Sequence, residues 1–528
     1  MSKINNGRPL EAGQRLQIRG YSTHLPLAYC VAESAYRDFN SGFVSNGLRE
    51  EAVDQVRKDL GITEDFDYRK RIGLELKRAK AAVINFDYGY QCYMDAWISE
   101  PEISMLIRNV FKEIPYDAQA LLDVDPEEVI MGCLDLREGQ PISIHGEREH
   151  LPQILKLLHW AYENRTKLAD VSIEEEREFD LTVPLYQYGS DDALKYVSGS
   201  VLAMYKEYLA KRTARLFLDG IYPGKYEGID PEKIQLRSTA VAERIRPYKT
   251  DDVPWCVYYL PTVLSAKASG YANLRDAALD VKKINHSGQI VVHAEKLGET
   301  TNRLNKLIRE GYNTLHFVSV NPVTRTPDGK TDIKFTLTPK SVFVSGSVTT
   351  SCGQKYIPNV PTEESFTTPD CTKTEGIVTM TRPSIINGYR VSGIKMKFKN
   401  GKVINASAEE NERVLIEWIR QNENADMAGE IAVVAGSPIY DLDRVFNLTV
   451  IDENTASHFA LGGSYPMCVE GANEIKNVRE KKGYLAFLNC NNSPVHRDFI
   501  IGSPNVWVYF KKPDGTRKLL ISDNKFQV

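Results

Sequence analysis

Apolar and polar positions alternate in the same way at two places along the chain. In residues 13–36, Gly13-Gln14 precedes the apolar positions Leu16 and Ile18, and Gly20 ends the alternation. His24-Leu25-Pro26 then opens a segment that closes with Ala35-Tyr36. At a constant offset of 126 residues the order returns: Gly139-Gln140, Ile142 and Ile144, Gly146, His150-Leu151-Pro152, Ala161-Tyr162. Period-two alternation predicts a strand. The proline fits a first helical turn, where its missing N–H costs nothing. Ile154, Leu157, Leu158 and Ala161 follow at helical spacing and predict a buried face. Later in each copy a basic helix end runs into an apolar strand, ending at Phe86 and at Leu218. Such strand–helix–strand units predict α/β modules with mostly parallel sheets. Identities at one constant offset predict that the module is duplicated. His24 and His150 occupy equivalent places and read as helix-entry residues rather than ligands.

The texture changes after a helix predicted over Thr301–Glu310 and ended by Gly311. TLHFVSV and GIVTMT read as strands. In GIKMKFKNGKVI, Ile394, Met396 and Phe398 alternate with lysines up to Asn400-Gly401, a strong hairpin signal. One helix interrupts, with Ser407 and Glu410 as its expected capping box and Val414, Leu415, Trp418 and Ile419 as its buried face. The predicted fold class is therefore α/β plus β-rich: duplicated N-terminal α/β modules over 1–125 and 126–311, then a β-rich domain over 312–528. No low-complexity linker separates them.

Composition narrows the function classes. The 528 residues allow about three domains, and 42% hydrophobic with 26% charged residues is ordinary globular usage. A net charge of −4 gives no footprint for nucleic acid or acidic membranes. No run of about 18 apolar residues predicts a membrane span, and the first residues lack the apolar core of a secretory signal. Eight scattered cysteines without a CxxC pair predict reduced thiols and a cytoplasmic location. The phosphate-loop, dinucleotide, nucleophile-elbow and HExxH motifs are absent from the sequence.

Acidic and histidine residues instead stand in four unusual contexts. IPNVPTEESFTTPD is too proline-rich for a helix and carries Glu363 and Glu364 on a loop. In AGEIAVV, Glu430 stands directly before an apolar strand, where a carboxylate needs a partner. In VFNLTVIDENTASHFALGGSYP, a strand to Ile451, a turn and a short helix carrying His458 are expected, with Tyr465 just beyond. In FLNCNNSPVHRDFIIGS, His496 and Asp498 are two apart and share a face in extended chain. Carboxylates and two imidazoles without cysteine suit Zn, Co or Mn, and about five ligands are enough for two ions sharing a carboxylate.

These four segments resemble the thermophilic-type metalloaminopeptidases, the aminopeptidase T and aminopeptidase S family. NVPTEESFTTPD, GEIAVV, DENTASHFALGGSYP and NNSPVHRDFIIG keep the family's order and near-family spacing. The likeness runs through VTTSCGQKYIPNV and VPWCVYYLPT and covers roughly Pro126 to Val528, so residues before about 125 form an extra copy. The resemblance implies that Glu364, Glu430, His458, His496 and Asp498 ligate two divalent metal ions (Zn, Co, Mn or Mg), with Glu363 as the alternative to Glu364. It implies a catalytic Tyr465, a bridging hydroxide as nucleophile, peptide substrates with a free N-terminus, and a homodimer. The rival reading is a non-catalytic metal-binding scaffold, or a partner-binding protein that retains the fold.

Overall fold

A computed structural model describes residues 15–21, 32, 37, 43–49, 56–62, 82–85 and 122–527, apart from 175–179, 181, 221–224, 249–251, 388, 447 and 476. The chain forms two units, one of Met1–Pro126, Arg137–Ala214 and Gly228–Lys249, the other of Glu127–Leu136, Arg215–Glu227 and Thr250–Val528. The architecture is mixed α/β, with several sheets and helices. No described helix is long and apolar enough to cross a membrane.

In the first unit, strand Arg15–Tyr21 pairs in parallel with Phe43–Arg49 on one side and Ala82–Asn85 on the other. Strand Ile142–Glu147 pairs in parallel with Ala169–Glu174. Helix Leu151–Asn164 joins those two, with Pro152 in its first turn and Ile154, Leu157, Leu158 and Ala161 all buried, as their spacing predicts. His150 is buried at the helix entry, where its Nδ1 accepts a hydrogen bond from the Glu147 N–H at 3.2 Å. His24 lies outside the described residues, as do Cys30 and Cys92. The other six cysteines are free thiols, five of them buried and Cys352 exposed.

The second unit is built on two large antiparallel sheets. One has eight strands and includes Thr314–Val320, Glu375–Thr379 and the hairpin Lys395–Lys399/Lys402–Ser407, closed at Asn400-Gly401. Both turn residues have positive φ, 50° and 80°, as the Asn-Gly signal requires. The other has five strands: Val344–Ser345, Ser365–Thr367, Ala428–Val433, His458–Gly462 and His496–Ile500, in that spatial order. Phe317, Phe335 and Phe398 from the first sheet and Ile431, Phe459 and Phe499 from the second share one core.

Three local expectations are corrected. The helix that Gly311 ends begins at Ile290, not Thr301. Ser407 and Glu410 do not cap a helix. Ser407 is spent in the hairpin ladder opposite Lys395, and the Glu410 carboxylate accepts from Ser392 Oγ. The helix starts later, at Glu412, whose carboxylate accepts from the Ala408 N–H. Finally, the strand expected up to Ile451 is a short helix, Thr449–Asp452, and His458 opens a strand rather than riding a helix.

Candidate metal centre

Strand periodicity decides which side chains meet. Glu430, Ala460 and Asp498 are register partners across three adjacent antiparallel strands. Directly opposed residues share a face, so the three project together. Two residues along, the same face carries Ala432, His458 and Ile500; in the other direction it carries Gly462 opposite His496. The intervening residues Ile431, Phe459, Leu461 and Phe499 point into the core. Ala432, Ala460 and Gly462 are small, which leaves room above the sheet between the long polar side chains.

A bulge aims Glu430. The register shifts between Ala428 and Glu430, at Gly429. A Cβ on Gly429 would lie 2.0 Å from the Gly462 carbonyl oxygen. Gly462, at φ +103°, would place one 2.1 Å from the Val495 oxygen. Only glycine allows this close backbone approach. Glu364 arrives from the next strand over, immediately before Ser365, which pairs with Val433. Its loop is anchored where the Val257 N–H donates to the Pro358 carbonyl at 2.7 Å.

The result is a chain of close approaches. Glu364 Oε2 lies 3.0 Å from His458 Nε2, and Glu430 Oε1 3.8 Å from the same nitrogen. Glu430 Oε2 lies 3.3 Å from His496 Nε2, which is 3.4 Å from Asp498 Oδ1. Glu430 thus divides its two oxygens between the two imidazoles. His458 Nδ1 is 3.2 Å from the Ala456 carbonyl, and His496 Nδ1 2.7 Å from that of Gly463. A carbonyl only accepts, so Nδ1 carries the proton in each ring and Nε2 is left as the ligand nitrogen.

Electrostatics mark the cluster as strained without cations. Burial pushes Glu364 above the ordinary carboxylate range, and the nearby His458 imidazole only partly offsets it. Burial would raise Asp498 too, but the imidazoles of His496 and His458 and the Arg497 guanidinium outweigh it, holding it at about 2. Burial disfavours protonated His458 and His496, yet the surrounding carboxylates hold both well above the usual imidazole value. His458 Nε2 and Glu364 Oε2 are buried and make no hydrogen bond. Orphaned buried donors and acceptors of this kind fit a bound cation.

The structure brings Glu364, Glu430, His458, His496 and Asp498 together as two overlapping groups, Glu364–Glu430–His458 and Glu430–His496–Asp498. Tyr465 stands at the rim of the same small cavity, about 50 Å³, with its ring 4.9 Å from that of His496. Glu363 does not join them; its carboxylate turns to His286 and His293. Glu430 lies inside its strand rather than before it. One residue escaped the sequence reading. Glu453 is buried and lines the cavity, and burial, with Asp498 and Glu364 adding, pushes its carboxyl well above the ordinary range. The signal for it was an acidic pair, Asp452-Glu453, ahead of an apolar run. Only Asp452 has the local role such a turn suggests, accepting from the Phe446 and Leu448 N–H groups. With Glu453, four buried carboxylates face the cavity, matching the charge of two divalent ions.

Residues 127–526 match the family described as thermophilic metalloprotease (M29). Aminopeptidase 2 of Geobacillus stearothermophilus is 27% identical over 416 residues, covering 75% of this chain and 95% of that protein. Aminopeptidase T of Thermus aquaticus is 28% identical over 413 residues, again 75% and 95%. The solved structure of wild-type AmpT from Thermus thermophilus superposes with a TM-score of 0.67 at 27% identity, covering 79% of this chain and all of that one.

Proposed function

The chain belongs to the thermophilic metalloprotease (M29) family and is a metal-dependent aminopeptidase, and from that premise we propose how its residues divide the work. Glu364 and His458 would hold one divalent ion and His496 and Asp498 the other, with Glu430 shared between the two groups. The observation that carries this is the split of the two Glu430 oxygens between the two imidazoles. Bound there, two such ions would supply Lewis-acid polarisation of the scissile carbonyl and a water acidic enough to attack it.

The remaining steps fall to the protein. The carbonyls of Ala456 and Gly463 hold the imidazoles in the tautomer that presents Nε2. Glu453 accepts the proton released by the attacking water and returns it to the leaving amine, so water is divided between the two products. Four carboxylates balance two divalent ions before that transfer, and moving a proton from water to Glu453 keeps the balance. Tyr465 donates a hydrogen bond to the oxyanion that develops at the carbonyl. Membership of an aminopeptidase family supports substrates that present a free α-amino group. Chelated protein, assayed on a free and an N-acetylated peptide, should be inactive on both and recover on the free peptide alone when metal returns. Equal cleavage of both peptides removes the exopeptidase reading.

We propose further that residues 1–125 are an extra copy of the α/β module in 126–311, ahead of the catalytic region 312–528, and that the protein acts as a homodimer. Two strand pairs support the duplication. Displaced by the same 126 residues, Arg15–Tyr21 and Phe43–Arg49 fall on Ile142–Glu147 and Ala169–Glu174, and both pairs are parallel, within one residue of the same register. Light scattering of the full chain tests the dimer.

A further inference from the structure

A second cluster lies outside the proposed catalytic ligands. His286 follows helix Leu274–Ile284, and His293 sits in the first turn of helix Ile290–Arg309. Their rings stack, centroids 3.5 Å apart and 12° from parallel. Stacking sets the two Nε2 atoms side by side, and both face Glu363. Its Oε1 lies 2.7 Å from His286 Nε2 and 3.3 Å from His293 Nε2. The Thr362 carbonyl oxygen is 2.9 Å from His293 Nε2. Glu363 is buried, whereas the two imidazoles keep about a quarter of their surface exposed.

We propose that His286, His293 and Glu363 hold a third divalent metal ion, of the zinc type. Without an ion, His286 Nε2–H donates to Glu363 Oε1 and His293 Nε2–H to the Thr362 carbonyl, so each nitrogen offers one exchangeable proton toward the same point. One cation between two Nε2 lone pairs and Oε1 would replace those two protons, and the Thr362 carbonyl stands in reach as a fourth donor. Two imidazoles and a carboxylate are a known zinc donor set, and the ligand atoms here lie within 4.8 Å of one another. His286 holds a left-handed backbone, φ +51°, immediately beyond its helix, a place that glycine usually takes. A bulky residue there turns its ring back toward His293.

The ion pins the loop that carries the catalytic carboxylate. Glu363 precedes Glu364, and its N–H donates to Asn454 Oδ1 at 2.6 Å, next to Glu453. The third ion thus clamps the segment that positions Glu364 and steadies the turn that positions Glu453.

The test is metal content of the full-length protein, stripped with chelator and dialysed against micromolar zinc. Wild type should hold three zinc ions per chain, His286→Gln/His293→Gln two, and His458→Ala/His496→Ala one. Two ions in both wild type and the His286/His293 variant overturn the proposal while leaving the catalytic pair intact. Three ions retained in the His458/His496 variant would instead count against the catalytic assignment. Circular dichroism checks the fold of each variant. Should the double glutamine variant misfold, cobalt titration decides: His458→Ala/His496→Ala should show a cobalt d–d band that the further change His293→Gln abolishes, and a band that persists refutes the site.

Discussion

Glu430→Gln keeps the shape of the bridging side chain and removes its charge. Its two oxygens serve two imidazoles, at 3.8 Å and 3.3 Å, so the change weakens both ion sites, whereas Asp498→Asn touches one. A ligand that loses its charge should cost at least the ~100-fold at the top of the range for outer-shell partners, about 2.7 kcal/mol per ion. At an ion concentration ~1,000 times the dissociation constant, binding stabilises the fold by about 4.1 kcal/mol per site. A ~100-fold weaker site leaves about 1.4 kcal/mol, so several degrees of the metal-induced rise in Tm disappear. In the metal-free protein two effects oppose each other. Glu430 lies close to Glu364 and Asp498, which repel it, and close to the imidazoles of His458 and His496, which attract it, so neutralising it changes little. The assay is differential scanning calorimetry with and without metal, beside metal analysis. The variant should melt close to wild type when stripped and well below it when loaded. Unchanged metal content together with an unchanged loaded Tm would refute the bridging assignment.

Other outcomes follow from the same geometry. Tyr465→Phe should keep both ions and lower kcat about a hundredfold, the usual worth of one oxyanion donor, and full turnover would return that ring to packing against His496 and Phe366. Ala460→Val fills the gap between Glu430 and Asp498 while leaving the core face of its strand untouched, so metal content should fall with little change in the stripped protein's Tm. The folded-state values of His458 and His496 are raised, so their contribution to the metal-free fold is complete below about pH 6.5 and is lost as pH rises through the folded values. Stripped protein should therefore lose Tm as pH rises above 6.5 and through the folded values, and added metal, which needs neutral Nε2, should restore most where most was lost; a pH-independent stripped Tm would contradict this.

Much of the centre was legible in the sequence because it depends on local periodicity. His496 and Asp498 share a face because residues two apart in a strand must, and the helix face Ile154, Leu157, Leu158 and Ala161 is buried because its spacing leaves no other choice. Asn400-Gly401 closes its hairpin by the conformational freedom of those two residues alone. Four motifs in family order carried the rest, including the proposed ligand set. What the sequence could not supply was register between distant strands. His458 reads locally as a turn-and-helix residue and becomes the first residue of a strand only because strands near residues 430 and 498 flank it. Glu430 sits inside a buried strand, which local propensity opposes, because the imidazoles that satisfy it come from two other strands. Glu363 and Glu364 are indistinguishable as neighbours in a loop, yet alternation sends one to His458 and the other to His286 and His293, 77 and 70 positions away in the chain. Periodicity fixes which side of an element a residue takes, since it follows from backbone geometry. Which residues then meet across a sheet depends on the register of long-range pairing, which only the folded core selects.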